Sequence, residues 1–282
     1  MPVSFRKAIR SPTHLREWVH DHRTSVQAWV ALFGLVVLVY FFLSDGDFSF
    51  LLTMSSLISM FSFLMVFVKI ERIKSVAGVS SRMMECYVIL LAARLCSIIP
   101  FEGYLPWDRS GDWLYQTAEV LSLFLSTVIV YSCRKRYVHT YDDNGDSINH
   151  LYIALPAFLL SLILHPSLNA FMPADIAWTF ALYLEALASL PQLFMFTREG
   201  KVEPFMSHFL GGQALSKVCS FVFWLSTYQE LNDPSKSMKS YVGVWVIVMQ
   251  SLQLLVMGDF IYHYVRCLSR GVPVQFLLNE SV

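Results

Sequence analysis

The chain has 282 residues, 55% of them hydrophobic and 15% charged, with a mean hydropathy of +0.51 and no net charge. Soluble domains carry about 25% charged residues, so this composition excludes an ordinary soluble globular protein and makes the lipid bilayer the surrounding medium. The neutral balance, with no basic stripe, zinc-finger spacing or glycine-rich phosphate loop, leaves no nucleic acid among the expected partners.

A spanning helix needs about 20 mostly apolar residues, and eight segments qualify in chain order. A basic leader, residues 1–25, precedes Val26–Ser44. That run is longer than a signal-peptide core and is followed by Asp45-Gly46-Asp47 rather than a small-residue cleavage site, so it reads as a retained anchor. Phe48–Val68 is also uncharged. Glu85–Phe101 carries Arg94, Trp113–Cys133 carries Glu119, and Leu151–Phe171 has His165. Ile176–Thr197 contains Glu185, Phe205–Leu225 contains Lys217, and Tyr241–Tyr264 contains Asp259. The sequence therefore predicts an all-α polytopic membrane protein: an extra helix at 26–44, a seven-helix domain at 48–265, and a tail at 266–282.

Lys and Arg collect on the cytosolic side of membranes. With the N-terminus in the cytosol, sixteen of the 21 basic residues fall on that side, three (Arg109, Lys236, Lys239) on the other, and Arg94 and Lys217 inside the membrane. This partition predicts both termini in the cytosol. The longest polar connection, Arg134–Asn149, contains Tyr141-Asp142-Asp143-Asn144-Gly145-Asp146. It lacks the order and terminal glutamate of a calcium-binding EF-hand loop and reads as a solvated turn.

An ionisable group within a spanning helix is expensive, about 2.5–3.5 kcal/mol on insertion scales, and points to a site. Arg94, Glu185, Lys217 and Asp259 are the candidates; Glu119, near the start of its span, reads as interfacial. Glu185 and Asp259 are the expected proton-sensing or relay groups. A guanidinium such as Arg94 suits a carboxylate, to which it donates two parallel hydrogen bonds. Pro191-Gln192 predicts a kink in the sixth span, with the amide free to satisfy exposed backbone groups. A faint internal repeat relates the two cations: Arg94 lies 26 residues after Val68, and Lys217 lies 26 residues after Pro191. The five cysteines lie in or beside spans and form no C-x-x-C motif, so neither a disulfide framework nor a metal site is expected. No nucleophile–base arrangement is legible, and neither an enzyme nor a cofactor is expected.

Several stretches together resemble the KDEL/HDEL receptor family, the endoplasmic reticulum lumen protein-retaining receptors. These are Ser75-Val76-Ala77-Gly78-Val79-Ser80, Ala92-Ala93-Arg94, the Tyr141–Asp146 turn, Trp178–Met195, Ser207-His208-Phe209 and Gly258-Asp259-Phe260-Ile261-Tyr262-His263-Tyr264. The added N-terminal span resembles the longer receptor-like branch known from plants. The resemblance implies seven helices in two three-helix bundles, related to the PQ-loop and SWEET transporters, around a luminal cavity. That cavity would bind the C-terminal tetrapeptide of escaped luminal proteins for return from Golgi to endoplasmic reticulum, with retrieval-coat machinery as a further partner.

By the same resemblance, Arg94 and Lys217 hold the ligand carboxylate, Asp175, Trp178 and Trp224 shape recognition, and Glu185 senses protons. The chain also departs from the family pattern. Leu52 and Thr227 stand in place of arginines, Ser59 in place of a histidine tied to pH sensing, and Ser97 in place of an aspartate. Ser216-Lys217 replaces Tyr-Arg, and Ser220 replaces a tyrosine. Two rival readings follow from these losses: a PQ-loop-type small-solute or proton-coupled transporter, and a divergent receptor-like protein without peptide binding.

Overall fold

The computed structural model describes residues 49–101, 112–166, 169–200, 202–232 and 241–270, with positions 13, 16, 19, 30 and 34 before them. Apart from those five positions, the expected anchor Val26–Ser44 and its basic leader, and most of the tail, lie outside the described residues. The helices are α1 (Ser49–Ile73), α2 (Ser81–Ile98), α3 (Asp112–Tyr131), α4 (Leu151–Ile163), α5 (Met172–Leu187), α6 (Leu190–Glu199), α7 (Pro204–Thr227) and α8 (Val242–Arg270). No strand occurs among the described residues.

Among the described residues, four helical segments are long and apolar enough to cross a membrane: α1, α3 with the π-turn that follows it, α5 together with α6, and α8. Three charged residues in α2, and Lys217, Gln213 and a Gly-Gly pair in α7, dilute those two helices. Leu155, Leu159 and Leu162 of α4 and Val244, Val248, Leu252 and Leu255 of α8 are exposed at helical spacing. These outward apolar stripes are what lipid contact demands.

Helix α1 packs on α3 and α2 on α3; α5 packs on α8 and α7 on α8. Across the centre, α1 meets α7 and α2 meets α5. This is the pattern generated when two three-helix units, α1-α2-α3 and α5/α6-α7-α8, exchange under a pseudo-twofold. The repeat legible in the Arg94 and Lys217 spacing is thus matched in the packing, with α2 and α7 as equivalent helices and α4 joining the units. The seam is close: a Cβ on Gly212 of α7 would collide with Ser62 of α1.

Two expected boundaries are corrected. Among its described residues, the segment Leu151–Phe171 is helical only over Leu151–Ile163. Pro166 disfavours helical backbone at the residue before it, and the next helix begins at Met172 with Pro173 in its first turn, where a missing N–H costs nothing. The segment Ile176–Thr197 is two helices, because Pro191 has no N–H for the carbonyl of Leu187 and its ring crowds that group.

Gln192 does not repair its own helix. Its Oε1 accepts from the backbone N–H of Ser80 at 2.9 Å, and its Nε2 donates to the carbonyl of Gly78 at 2.9 Å. The same corner uses the Tyr141–Asp146 loop. Asp146, expected in a solvated turn, is 1% exposed. It accepts from Ser80 Oγ (2.7 Å), the N–H of Arg82 (3.0 Å) and Tyr141 Oη (2.6 Å). Ser80 in turn caps α2 through the N–H of Met83. Two acceptors therefore hold the N-terminus of the helix that carries Arg94. Gln192→Ala orphans one buried backbone group, the N–H of Ser80, and one half-buried group, the carbonyl of Gly78, at about 1–3 kcal/mol for a fully buried group. It is expected to lower stability by about 2–4 kcal/mol in thermal unfolding of detergent-solubilised protein.

These contacts, with Thr140 accepting from Val76, bring the basic segments 69–82, 134–150 and 192–200 to one end of the helices. At the other end Phe101 stacks on Phe171 at 5.6 Å, and Tyr183 Oη donates to the carbonyl of Leu164.

Candidate functional site

Between the two units lies a buried cluster of four charged side chains, one from each of α2, α3, α5 and α7. Glu185 stands three residues before the helix break. Its Oε2 is 2.6 Å from Arg94 Nη2, and its Oε1 is 2.6 Å from Lys217 Nζ. One carboxylate therefore bridges the two pseudo-equivalent cations. The carbonyl of Glu185, which takes the N–H of Ala188 at 3.4 Å, also accepts from Gln253 Nε2 of α8 at 3.0 Å. The second guanidinium nitrogen, Arg94 Nη1, is 3.2 Å from Glu119 Oε2, and Glu119 Oε1 accepts from Ser56 Oγ of α1 at 2.7 Å.

Arg94 is 9% exposed, Glu185 5%, Lys217 4% and Glu119 3%. Two positive and two negative groups make the cluster neutral, the condition under which buried charges are tolerated. Serines extend it along the α1–α7 seam: Ser55 and Ser216 hydroxyls are 3.0 Å apart, and Ser59 Oγ donates to Gln213 Oε1 at 3.1 Å.

The cluster lines a cavity with about 30 Å³ of free space. Trp178 and Trp224 form part of its wall, edge to face with ring centroids 5.7 Å apart. Gln250 of α8 lines it as well, and its buried Oε1 accepts no hydrogen bond. No histidine is among the lining residues. His208 Nδ1 is 2.8 Å from Tyr264 Oη, and His165 Nδ1 is 3.2 Å from the carbonyl of Ser161. The cavity thus offers cations for an anion, flat aromatic faces for side chains, and groups able to exchange a proton.

Of the residues singled out in the sequence, Arg94, Glu185, Lys217, Trp178 and Trp224 surround this one cavity. Asp175 does not line it. Buried one turn before Trp178, it accepts at Oδ1 from the backbone N–H and side-chain amide of Asn169, bracing the loop before α5. Asp259 lies on the outer face of α8 with its side chain 93% exposed, its Oδ1 3.7 Å from His263 Nε2. It belongs to a surface pair and not to the cluster.

Glu119 is the residue the sequence reading misplaced: it is buried beneath Arg94 and not interfacial. A signal for this exists in the sequence. Tyr115, Glu119, Ser122 and Ser126 recur at helical spacing as a polar stripe on an otherwise apolar helix, and all four are buried.

Residues 75–227, more than half of the chain, match the family model described as ER lumen protein retaining receptor. The Drosophila melanogaster ER lumen protein-retaining receptor is 27% identical over 215 residues, covering 76% of this chain and 92% of the fly protein. The Mus musculus ER lumen protein-retaining receptor 3 is 27% identical over 227 residues, with 80% and 92% coverage. The Homo sapiens ER lumen protein-retaining receptor 2 is 28% identical over 204 residues, with 72% and 87% coverage. The family match covers more than half of the chain and runs from the loop before α2 to the end of α7, across the charged cavity, so this chain belongs to the ER lumen protein retaining receptor family.

Proposed function

We propose that the chain is a multi-pass retention receptor of endoplasmic reticulum and Golgi membranes. It binds the C-terminal HDEL- or KDEL-type tetrapeptide of luminal proteins and returns them from Golgi to endoplasmic reticulum. The observation that carries this reading is the pairing of two buried cations, Arg94 and Lys217, with two tryptophans around one cavity. Arg94 receives the terminal carboxylate and Lys217 supports it. Trp178 and Trp224 pack on ligand side chains, Asp175 sets the approach to α5, and Glu185 holds both cations in place. Asp259 acts on the outer face, where His263 is its neighbour. The shared basic end of segments 69–82, 134–150 and 192–200 supports a cytosolic location for that end, with both termini on the same side. Contact with the retrieval coat then falls there.

The cellular test is a secreted reporter ending in HDEL or KDEL. Deleting the gene is expected to release the reporter to the medium, and restoring the chain to retain it. Unchanged retention in the deletion, with other family members absent, contradicts the reading.

One observation favours a second reading. The cluster is already neutral and leaves about 30 Å³ free, which suits a proton or small solute better than a preformed peptide pocket. In that reading the chain is a transporter of PQ-loop type, and uptake of labelled solute into proteoliposomes is its test.

A further inference from the structure

Arg94 is already saturated with carboxylate. One guanidinium nitrogen contacts Glu185 and the other contacts Glu119. The free space beside them, about 30 Å³, accommodates roughly one or two water molecules. A ligand carboxylate reaches the guanidinium only if a resident carboxylate yields. Glu185 is anchored at both oxygens by cations at 2.6 Å, and at its carbonyl by Gln253. Glu119 makes the longer contact, 3.2 Å, and its other oxygen rests on a neutral hydroxyl, Ser56 Oγ.

The charge balance points the same way. Two cations and two carboxylates sum to zero, and a third carboxylate leaves the buried cluster with one uncompensated negative charge. Such a charge is neutralised by a proton rather than tolerated. Ser56 on α1 and Arg94 on α2 contact Glu119 directly, and Tyr115 on its own helix, Glu185 on α5, Lys217 on α7 and Gln250 on α8 line the same cavity. Once Arg94 turns to the ligand, Glu119 keeps no cation within contact distance, whereas Glu185 keeps both. The proton therefore goes to Glu119.

We infer that Glu119 is the specificity-setting gate of the cavity: it occupies Arg94 as an internal stand-in for a ligand carboxylate, and an incoming C-terminal carboxylate displaces it as it takes up one proton. The inference rests on reading the cavity as a carboxylate site. The exchange is balanced: Glu119 goes from carboxylate to carboxylic acid with one proton from luminal water, the ligand carboxylate takes its place on Arg94, and Ser56 turns from donor to acceptor. Ligands ending in an amide, or in no anion, have no means of displacing Glu119. Acid dependence then arises without a histidine in the cavity.

The test is calorimetric titration of the purified full chain with HDEL peptide, at about pH 5.5 and 7.5, in two buffers of different ionisation enthalpy. The wild type is expected to bind more weakly as pH rises, by up to about tenfold per pH unit, and to take up close to one proton per peptide. Glu119→Gln is expected to bind at both pH values as tightly as the wild type does in acid, without proton uptake. Measurable wild-type binding with no proton uptake overturns the inference, and this measurement needs no variant. A Glu119→Gln protein with the wild-type pH profile and proton count also overturns it, while leaving the carboxylate-site reading intact. If neither chain binds at either pH, that reading falls and the gate falls with it.

Discussion

Replacing Arg94 by alanine is expected to abolish peptide binding and to destabilise the protein. Both effects follow from its position between Glu119 and Glu185. Removing one partner from a buried ion pair leaves its counter-charge stranded, at about 3–5 kcal/mol. Here Glu119 loses its cation altogether, and Glu185 keeps Lys217. Each charge-assisted hydrogen bond lost to a ligand carboxylate costs about 1.5–3 kcal/mol, a factor of roughly ten to a hundred and fifty in affinity. Arg94→Lys is the informative companion. It keeps the charge and most of the stability but loses the planar fork that addresses two carboxylates at once. Thermal unfolding should therefore separate Arg94→Ala from Arg94→Lys, while peptide titration should show both impaired. Wild-type binding by Arg94→Lys would mean that charge alone suffices.

The second large effect is expected at Glu185. This carboxylate bridges both cations, so Glu185→Gln converts a neutral cluster into one with a net positive charge and no bridge. The expected loss is about 3–5 kcal/mol, of the order found when a buried pair is broken from one side. The compensating replacement is Lys217→Met. The double variant Glu185→Gln, Lys217→Met retains the Arg94–Glu119 pair and restores neutrality, and is expected to recover most of the lost stability. The four-protein cycle measures this directly: residues in one buried network couple by about 0.5–3 kcal/mol, whereas independent sites add. Strict additivity would show that Lys217 and Glu185 do not act as a pair.

The sequence carried much of this arrangement, and its failures have physical causes. Hydropathy marked α1, α3, α5 with α6, and α8 because long apolar runs have few other uses, and an arginine, a lysine and a glutamate inside the expected spans lie together at the cavity. The 26-residue offsets carried the pseudo-repeat before any packing was visible. Boundaries failed at prolines. Pro166 ends α4 early, and Pro191 divides a span into α5 and α6, events that hydropathy averages over. Distance to the span end places Glu119 near the interface, whereas its burial depends on the neighbouring helices that enclose α3. Asp259 failed in the opposite direction. It is central in its helix, but which face of α8 turns inward is decided by packing, and this residue faces out. Asp146 reads as solvent-facing because its neighbours are turn-formers; its partners, Ser80 and Arg82, are distant in sequence and meet it only in the fold.

Direct titration of the purified chain with HDEL and KDEL peptides bearing free or amidated C-termini tests the central claim most directly. Tighter binding of the free-acid peptides in mild acid, lost on amidation and in Arg94→Ala, is the predicted result. Equal binding of free and amidated peptides, or no binding of either at acidic and neutral pH, would contradict the assignment of this cavity as a receptor site for a C-terminal carboxylate.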